Sequence, residues 1–417
     1  MTDAAVPTAS RSRRELSAWR NAVFAVFFLS GLSMATWVSR IPAVRDDADI
    51  ALDVVGIVIL GMSAGSVLGL IVSQWLLARF GARLGMIGCL FLVSVGLVVV
   101  GLGSTVFASV PVLIVGMAIF GFGNGAVDVM MNVEGAAAER EIGKTVMPLM
   151  HAFFSFGTVA GAAIGAGASA VGIPVLWHAA AMAVLIAIGI VIAVRFVPLR
   201  EEVGDDTHGS EGAPHKPWRE RFADSLRVWA DTRLLLIGVI MLGMSFAEGS
   251  ANDWIALAVV DGHGRDNTAG ALIFGVFVAA MTVGRVAGGP VIDRFGRVPI
   301  LRICAALGII GLSLFIWSPS LVPGADWLIV VGTVLWGFGA SLGFPVGMSA
   351  AADDPKNSAA RVSAVAIIGY FAFLAGPPLL GFLGEHFGIL NALLVILALM
   401  VLAGLAAPAA RERAPRP

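Results

Sequence analysis

Long apolar runs separated by short polar breaks dominate this chain. Twelve runs are close to or beyond the ~18 apolar residues that can cross a bilayer as a helix. They fall at about 21–39, 52–78, 84–102, 108–133, 147–170, 175–196, 234–258, 269–291, 299–318, 327–349, 361–384 and 388–408. No soluble fold could bury that many such helices, so the pattern predicts an all-α membrane protein. The first run has no small-residue cleavage site after it and reads as a retained span.

The polar breaks carry a second pattern. Of 27 Lys and Arg residues, 23 fall on the tails and on every second loop, and Arg40, Arg45 and Arg265 alone fall on the intervening loops. Basic residues mark the cytoplasmic side of membrane proteins, so both termini are expected in the cytoplasm. The remaining cation, Arg285, is inside a run. The same bias checks the number of spans, because one missed or invented span would scramble it.

One long polar stretch, 197–231, is rich in charge, Gly and Pro and reads as a linker. It divides the chain into an N-terminal six-helix unit (1–196) and a C-terminal one (232–417). The units repeat each other. Arg79-Phe80-Gly81 recurs as Arg294-Phe295-Gly296, Cys89 as Cys304, and Gly121-Phe122-Gly123 as Gly337-Phe338-Gly339, at offsets of 215 or 216 residues. Two six-helix bundles enclosing a site between them is a known transporter plan.

Composition agrees. The chain is 58% apolar and 13% charged, with mean hydropathy +0.91 and 51 glycines. Close helix contacts in membranes use small residues. The net charge of −1 gives no nucleic-acid signature. No metal-ligand cluster, nucleotide-binding loop or nucleophile arrangement occurs, so neither an enzyme nor a cofactor is expected. The expected partners are a small solute, protons and the lipid bilayer, with the chain acting as a monomer.

The segment Gly289-Pro290-Val291-Ile292-Asp293-Arg294-Phe295-Gly296-Arg297 resembles the loop signature of the major facilitator superfamily. That resemblance implies the twelve-helix, two-bundle fold and a cytoplasmic gate built from Gly289, Asp293, Arg294, Gly296 and Arg297, with Arg79 as the N-terminal counterpart. The N-terminal copy has Ala78 in place of the acid. Span four, from Gly121 through Asp128 to Asn132, resembles the fucose-permease branch, in which such an acid is implicated in proton coupling. The acid that branch carries in span one has no counterpart in residues 21–39.

Ionisable groups at membrane depth are costly and usually face a cavity or a partner. Asp128 and Asn132 share one helix face, as do Glu248 and Asn252 in span seven. Asp128 and Glu248 are candidate proton carriers, and Asn132, Asn252 and Asp253 candidate solute contacts. Asp128 could instead only cap or anchor helices near the cytoplasmic end, Glu248 could only hydrogen-bond between helices, and Asp253 could belong to a solvated outer rim. Arg285 needs a carboxylate or an anionic solute group; a gate pair with Asp293 or a neighbouring acid is one reading. His151 opens span five as a possible relay. Trp37, Trp336 and Tyr370 are candidate stacking surfaces for a sugar ring, and Arg40 a candidate solute contact or an interfacial anchor.

These features predict a secondary active transporter of a small polar solute, such as a sugar, in the cytoplasmic membrane, coupled to protons by symport. A drug/proton exporter and a non-transporting sensor or assembly subunit are the alternatives.

Overall fold

The computed structural model describes residues 12–143, 146–198, 230–322, 324–351, 353 and 358–412. Every regular element among them is helical. Most of the expected linker, 197–231, lies outside the described residues.

The N-terminal half begins with α1 (Arg13–Val38), capped by a Ser12–Glu15 capping box. The short α2 (Ile41–Ala48) turns across the opposite face. Next comes α3 (Leu52–Thr105), 54 residues long. At 1.5 Å per residue it would run about 80 Å, more than twice the hydrocarbon thickness, so it must cross twice. The break is one residue, Gly81, at φ 69° and ψ 172°. Helices α4 (Val110–Ile142), α5 (Met147–Ala170) and α6 (Val175–Ala193) complete the half.

The C-terminal half holds α7 (Thr232–Leu257), α8 (Asn267–Phe295) and α9 (Arg297–Leu321). After them come α10 (Asp326–Ala340), α11 (Gly343–Ala351), α12 (Ser358–Phe387), α13 (Ile389–Ala392) and α14 (Leu394–Ala406). Eleven helical stretches among the described residues are long and apolar enough to span. With α3 crossing twice, the expected twelve spans are present. The tenth expected span, 327–349, is interrupted between α10 and α11.

The repeats are structural as well as sequential. Gly296, between α8 and α9, has φ 80° and ψ 164°, matching Gly81. That region of backbone space is open essentially only to glycine. Each preceding arginine lies over the adjacent phenylalanine ring, Arg79 at 5.9 Å and Arg294 at 5.4 Å. A Cβ on Gly123 would meet the Cys89 carbonyl at 2.5 Å; one on Gly339 would meet that of Cys304 at 2.8 Å.

Small residues set the helix spacing. Gly61, Gly65 and Gly69 recur every fourth residue on α3 and face α4. A Cβ on Gly65 would sit 2.2 Å from the Ala118 carbonyl, and one on Gly125 of α4 would sit 2.2 Å from that of Ser66. Large apolar side chains on the outer surface, such as Ile71 (70% exposed) and Leu405 (73%), suit a lipid environment.

The halves meet along α3–α12 and α5–α8. Polar contacts joining them include Arg45–Asp261, Asn267 to Asp46 (3.4 Å), the Leu52 amide to Glu385 (3.0 Å) and the Ser63 hydroxyl to the Phe373 carbonyl (3.1 Å). The first three lie at helix ends on the face opposite the two termini, and the fourth lies deeper, midway along α12. The last has a covalent origin. Pro377 has no N–H to return to the carbonyl four residues back, so Phe373 keeps a free acceptor that Ser63 of the other half fills. On the terminus face Arg79, Phe80, Asp293, Arg294 and Phe295 are exposed.

Candidate substrate and coupling site

Glu248 lies about two-thirds along α7, and Arg285 about two-thirds along α8. Their side chains form an ion pair, Arg285 Nη2 donating to Glu248 Oε1 at 2.7 Å. Arg285 Nε also donates to the Ser341 carbonyl at 3.3 Å. Ser341 sits where the tenth span breaks. Pro345, four residues on, cannot donate to that carbonyl, so the acceptor is left for a neighbour. The guanidinium is thus held by one carboxylate and one main-chain oxygen.

The pair faces the space between the halves. Arg285 is close enough to His151 of α5, in the other half, to act on it electrostatically. His151 is exposed and sits edge-on to Phe27 of α1, with ring centroids 5.1 Å apart. The Arg285 side chain is 35% exposed and that of Glu248 14%. This is a mixed environment, partly open to solvent and dry enough for the charges to feel one another.

Of the partners open to Arg285, the structure pairs it with a neighbouring acid, Glu248. Asp293 and Arg294 are exposed beside the Gly296 break. The last residue of that loop signature, Arg297, turns inward. It donates to both oxygens of Asp353, at 2.8 and 2.9 Å, and to Ser349 at 2.8 Å. Asp353 also pairs with Arg233, and Asp231, the N-cap of α7, pairs with Arg361. Burial works against the charge on Asp231, but Arg361 and the amides of Arg233 and Leu234 outweigh it. Its carboxyl is held below the usual carboxylate range. This network ties the terminus-face ends of α7, α9 and α12 together within the C-terminal half.

On α4, Asp128 is exposed and Asn132 half-buried. Asn132 Nδ2 donates to the Asp128 carbonyl at 2.8 Å and approaches its carboxylate at 3.4 Å. Higher on the helix, Asn124 accepts from Ser30 of α1 at 3.2 Å. On α7, Asn252 is half-buried on the face of Glu248, whereas Asp253 is 6% exposed on another face.

The structure does not bring every expected solute contact to this space. Arg40 is 5% exposed and donates to the Ser169 hydroxyl (3.1 Å) and the Ile173 carbonyl (2.7 Å), so it fastens α1 to the α5–α6 turn. Trp37 is 2% exposed and lines a cavity of about 10 Å³ with Arg40 and His178. Trp336 is fully buried edge-on to Phe277 and Phe315, at 5.5 and 5.8 Å. Both tryptophans pack helices and are shut off from the space between the halves. The Tyr370 side chain, on α12, lies outside the described residues.

The Major Facilitator Superfamily family model matches residues 23–322 and 254–417. The chain belongs to that superfamily. It is a multi-pass membrane transporter and not an enzyme. An uncharacterized transporter, y4wD, of Sinorhizobium fredii is 31% identical over 376 residues, spanning 89% of this chain and 93% of that protein. Two solved structures share the fold. A mutant form of the nucleoside transporter NupG superposes with a TM-score of 0.75 at 14% identity, covering 95% of this chain and 99% of that one. A mutant form of the E. coli fucose:proton symporter FucP superposes with a TM-score of 0.59 at 16% identity, covering 94% and 98%.

Proposed function

We propose that this superfamily member is a proton-coupled symporter that moves a small polar solute, sugar-like in size, across the cytoplasmic membrane by alternating access. The observation that carries the reading is the Glu248–Arg285 pair, turned toward the space between the halves and within electrostatic reach of His151. An ionised Glu248 holds Arg285. A proton on Glu248 removes that charge, weakens the bond and frees the guanidinium for a solute. Asp128, exposed on α4, is the second candidate carrier. The basic loops support a cytoplasmic terminus face, and on this reading the contacts around Arg45 form the periplasmic seal, with the Ser63–Phe373 bond beneath it.

The test is uptake into proteoliposomes under an inward proton gradient, with a panel of sugars and sugar derivatives. Glu248→Gln is expected to abolish uphill accumulation while leaving solute exchange intact, because exchange needs no net proton release. Uphill accumulation by E248Q at the wild-type level would remove Glu248 from the coupling step.

A further inference from the structure

We propose that the solute carries a carboxylate, that Arg285 takes this group in place of Glu248, and that each cycle moves one proton with one anion. The inference rests on the symport reading above and adds the chemical class of the solute and the net charge moved.

The argument begins with the inventory of groups around Arg285. Among the described residues Glu248 is the only carboxylate in contact with it. The Ser341 carbonyl accepts from Nε and is neutral. His151, the titratable group facing it from the other half, adds positive charge or none. With Glu248 ionised the immediate site is balanced. With Glu248 protonated it holds an uncompensated guanidinium at membrane depth. A neutral sugar would leave that charge unpaired, which is the expensive case. A carboxylate restores the balance, and a guanidinium's planar fork suits it.

The geometry favours exchange of partners. Glu248 engages Nη2 and the Ser341 carbonyl engages Nε. An incoming carboxylate therefore replaces one bond while the other keeps the guanidinium aimed. Because Pro345 leaves the Ser341 acceptor without its usual donor, that second bond persists whichever carboxylate is bound. The charge count closes. A proton arrives on Glu248, an anion arrives on Arg285, both leave on the far side, and the net charge moved is zero.

The experiment pairs solutes that differ only in the acid group: gluconate and galacturonate against glucose and galactose, with lactate against glycerol. Purified protein in detergent is first tested for thermal stabilisation by each solute. Uptake into proteoliposomes is then driven either by a pH gradient or by a potassium–valinomycin potential. At least one carboxylate is expected to stabilise the protein and to accumulate under the pH gradient, and the potential alone should drive nothing. R285Q should lose affinity by about tenfold or more, the size of one charge-assisted hydrogen bond. R285K, which keeps charge without the fork, should fall between. E248Q should bind the carboxylate at high pH at least as tightly as wild type does at low pH, a result a misfolded variant could not give.

Proton-coupled, potential-sensitive uptake of the neutral sugars would overturn the anion inference and leave the symport reading standing. Carboxylate uptake with no proton coupling would overturn both the one-proton count and the symport reading. Failure of every carboxylate to stabilise the protein, or equal stabilisation of R285Q, would overturn the inference outright.

Discussion

The α3–α4 contact gives a quantitative test of how the N-terminal half is held. A Cβ on Gly65 would lie 2.2 Å from the Ala118 carbonyl oxygen and 2.9 Å from the carbonyl carbon. An ordinary contact is about 3.4 Å, so Gly65→Ala must push the helices apart by about 1 Å. Neither helix can yield locally, because Gly69 on one side and Gly121 and Gly125 on the other are seated as closely, with a Cβ on each meeting a main-chain carbonyl oxygen at 2.0–2.2 Å. Overpacking of this kind costs about 1–3 kcal/mol. Against it, alanine is the better helix former by about 1 kcal/mol. Gly88, on the same helix, isolates that second effect, since a Cβ there would meet nothing within 4 Å. G65A should therefore be less stable than G88A by about 1–3 kcal/mol. Reversible unfolding in mixed detergent micelles, comparing midpoints at constant slope, measures the difference. Equal midpoints would mean that helix approach at Gly65 is not limited by backbone contact, and the small-residue account of this interface would fail.

Three further outcomes are expected. Arg45→Ala removes the Arg45–Asp261 link between the halves; a cysteine placed at Ser63 should then react with an impermeant maleimide about five times faster, as for a loss of 1 kcal/mol, and an unchanged rate would show that this link does not hold the seal. Because the folded-state carboxyl of Asp231 sits below its unfolded value, it adds stability above the usual carboxylate range that is lost as pH falls through the folded value; the unfolding midpoint of wild type should thus drop more steeply below about pH 4 than that of Asp231→Asn, and parallel curves would refute the linkage. Pro345→Ala supplies an N–H to the Ser341 carbonyl in competition with Arg285; the variant should unfold later yet transport more slowly, whereas unchanged transport would show that the broken span is not needed to aim the guanidinium.

The spans were legible because each apolar run is long enough to have no other solvent. The repeated glycines were legible too, since Arg79-Phe80-Gly81 and Arg294-Phe295-Gly296 are alike in letters and in backbone angles. Glu248 and Arg285 each stood out as a charge inside an apolar run. Their pairing did not, because they are 37 residues apart on different spans and Asp293 is nearer to Arg285 in the chain. Trp37 and Trp336 illustrate a different limit: a tryptophan in a span has the same signature whether it packs a core or walls a cavity, and here both pack. Arg40 was open to two readings for a similar reason, since only the fold brings Ser169 and Ile173 to it. One signal was present and unused. A proline inside a span announces an unpaired carbonyl four residues earlier, and Pro345 and Pro377 each do so at a contact that matters.

Those two carbonyls belong to the main chain, and that bears on how such a transporter can diverge. A peptide oxygen survives every substitution of its own side chain, so the identity of the residue at 341 or 373 can drift while the acceptor stays. The donors, Arg285 and Ser63, enjoy no such protection. Selection for a new solute or a faster cycle would therefore act on one side of each contact only, with the prolines as the fixed points that keep the other side in place.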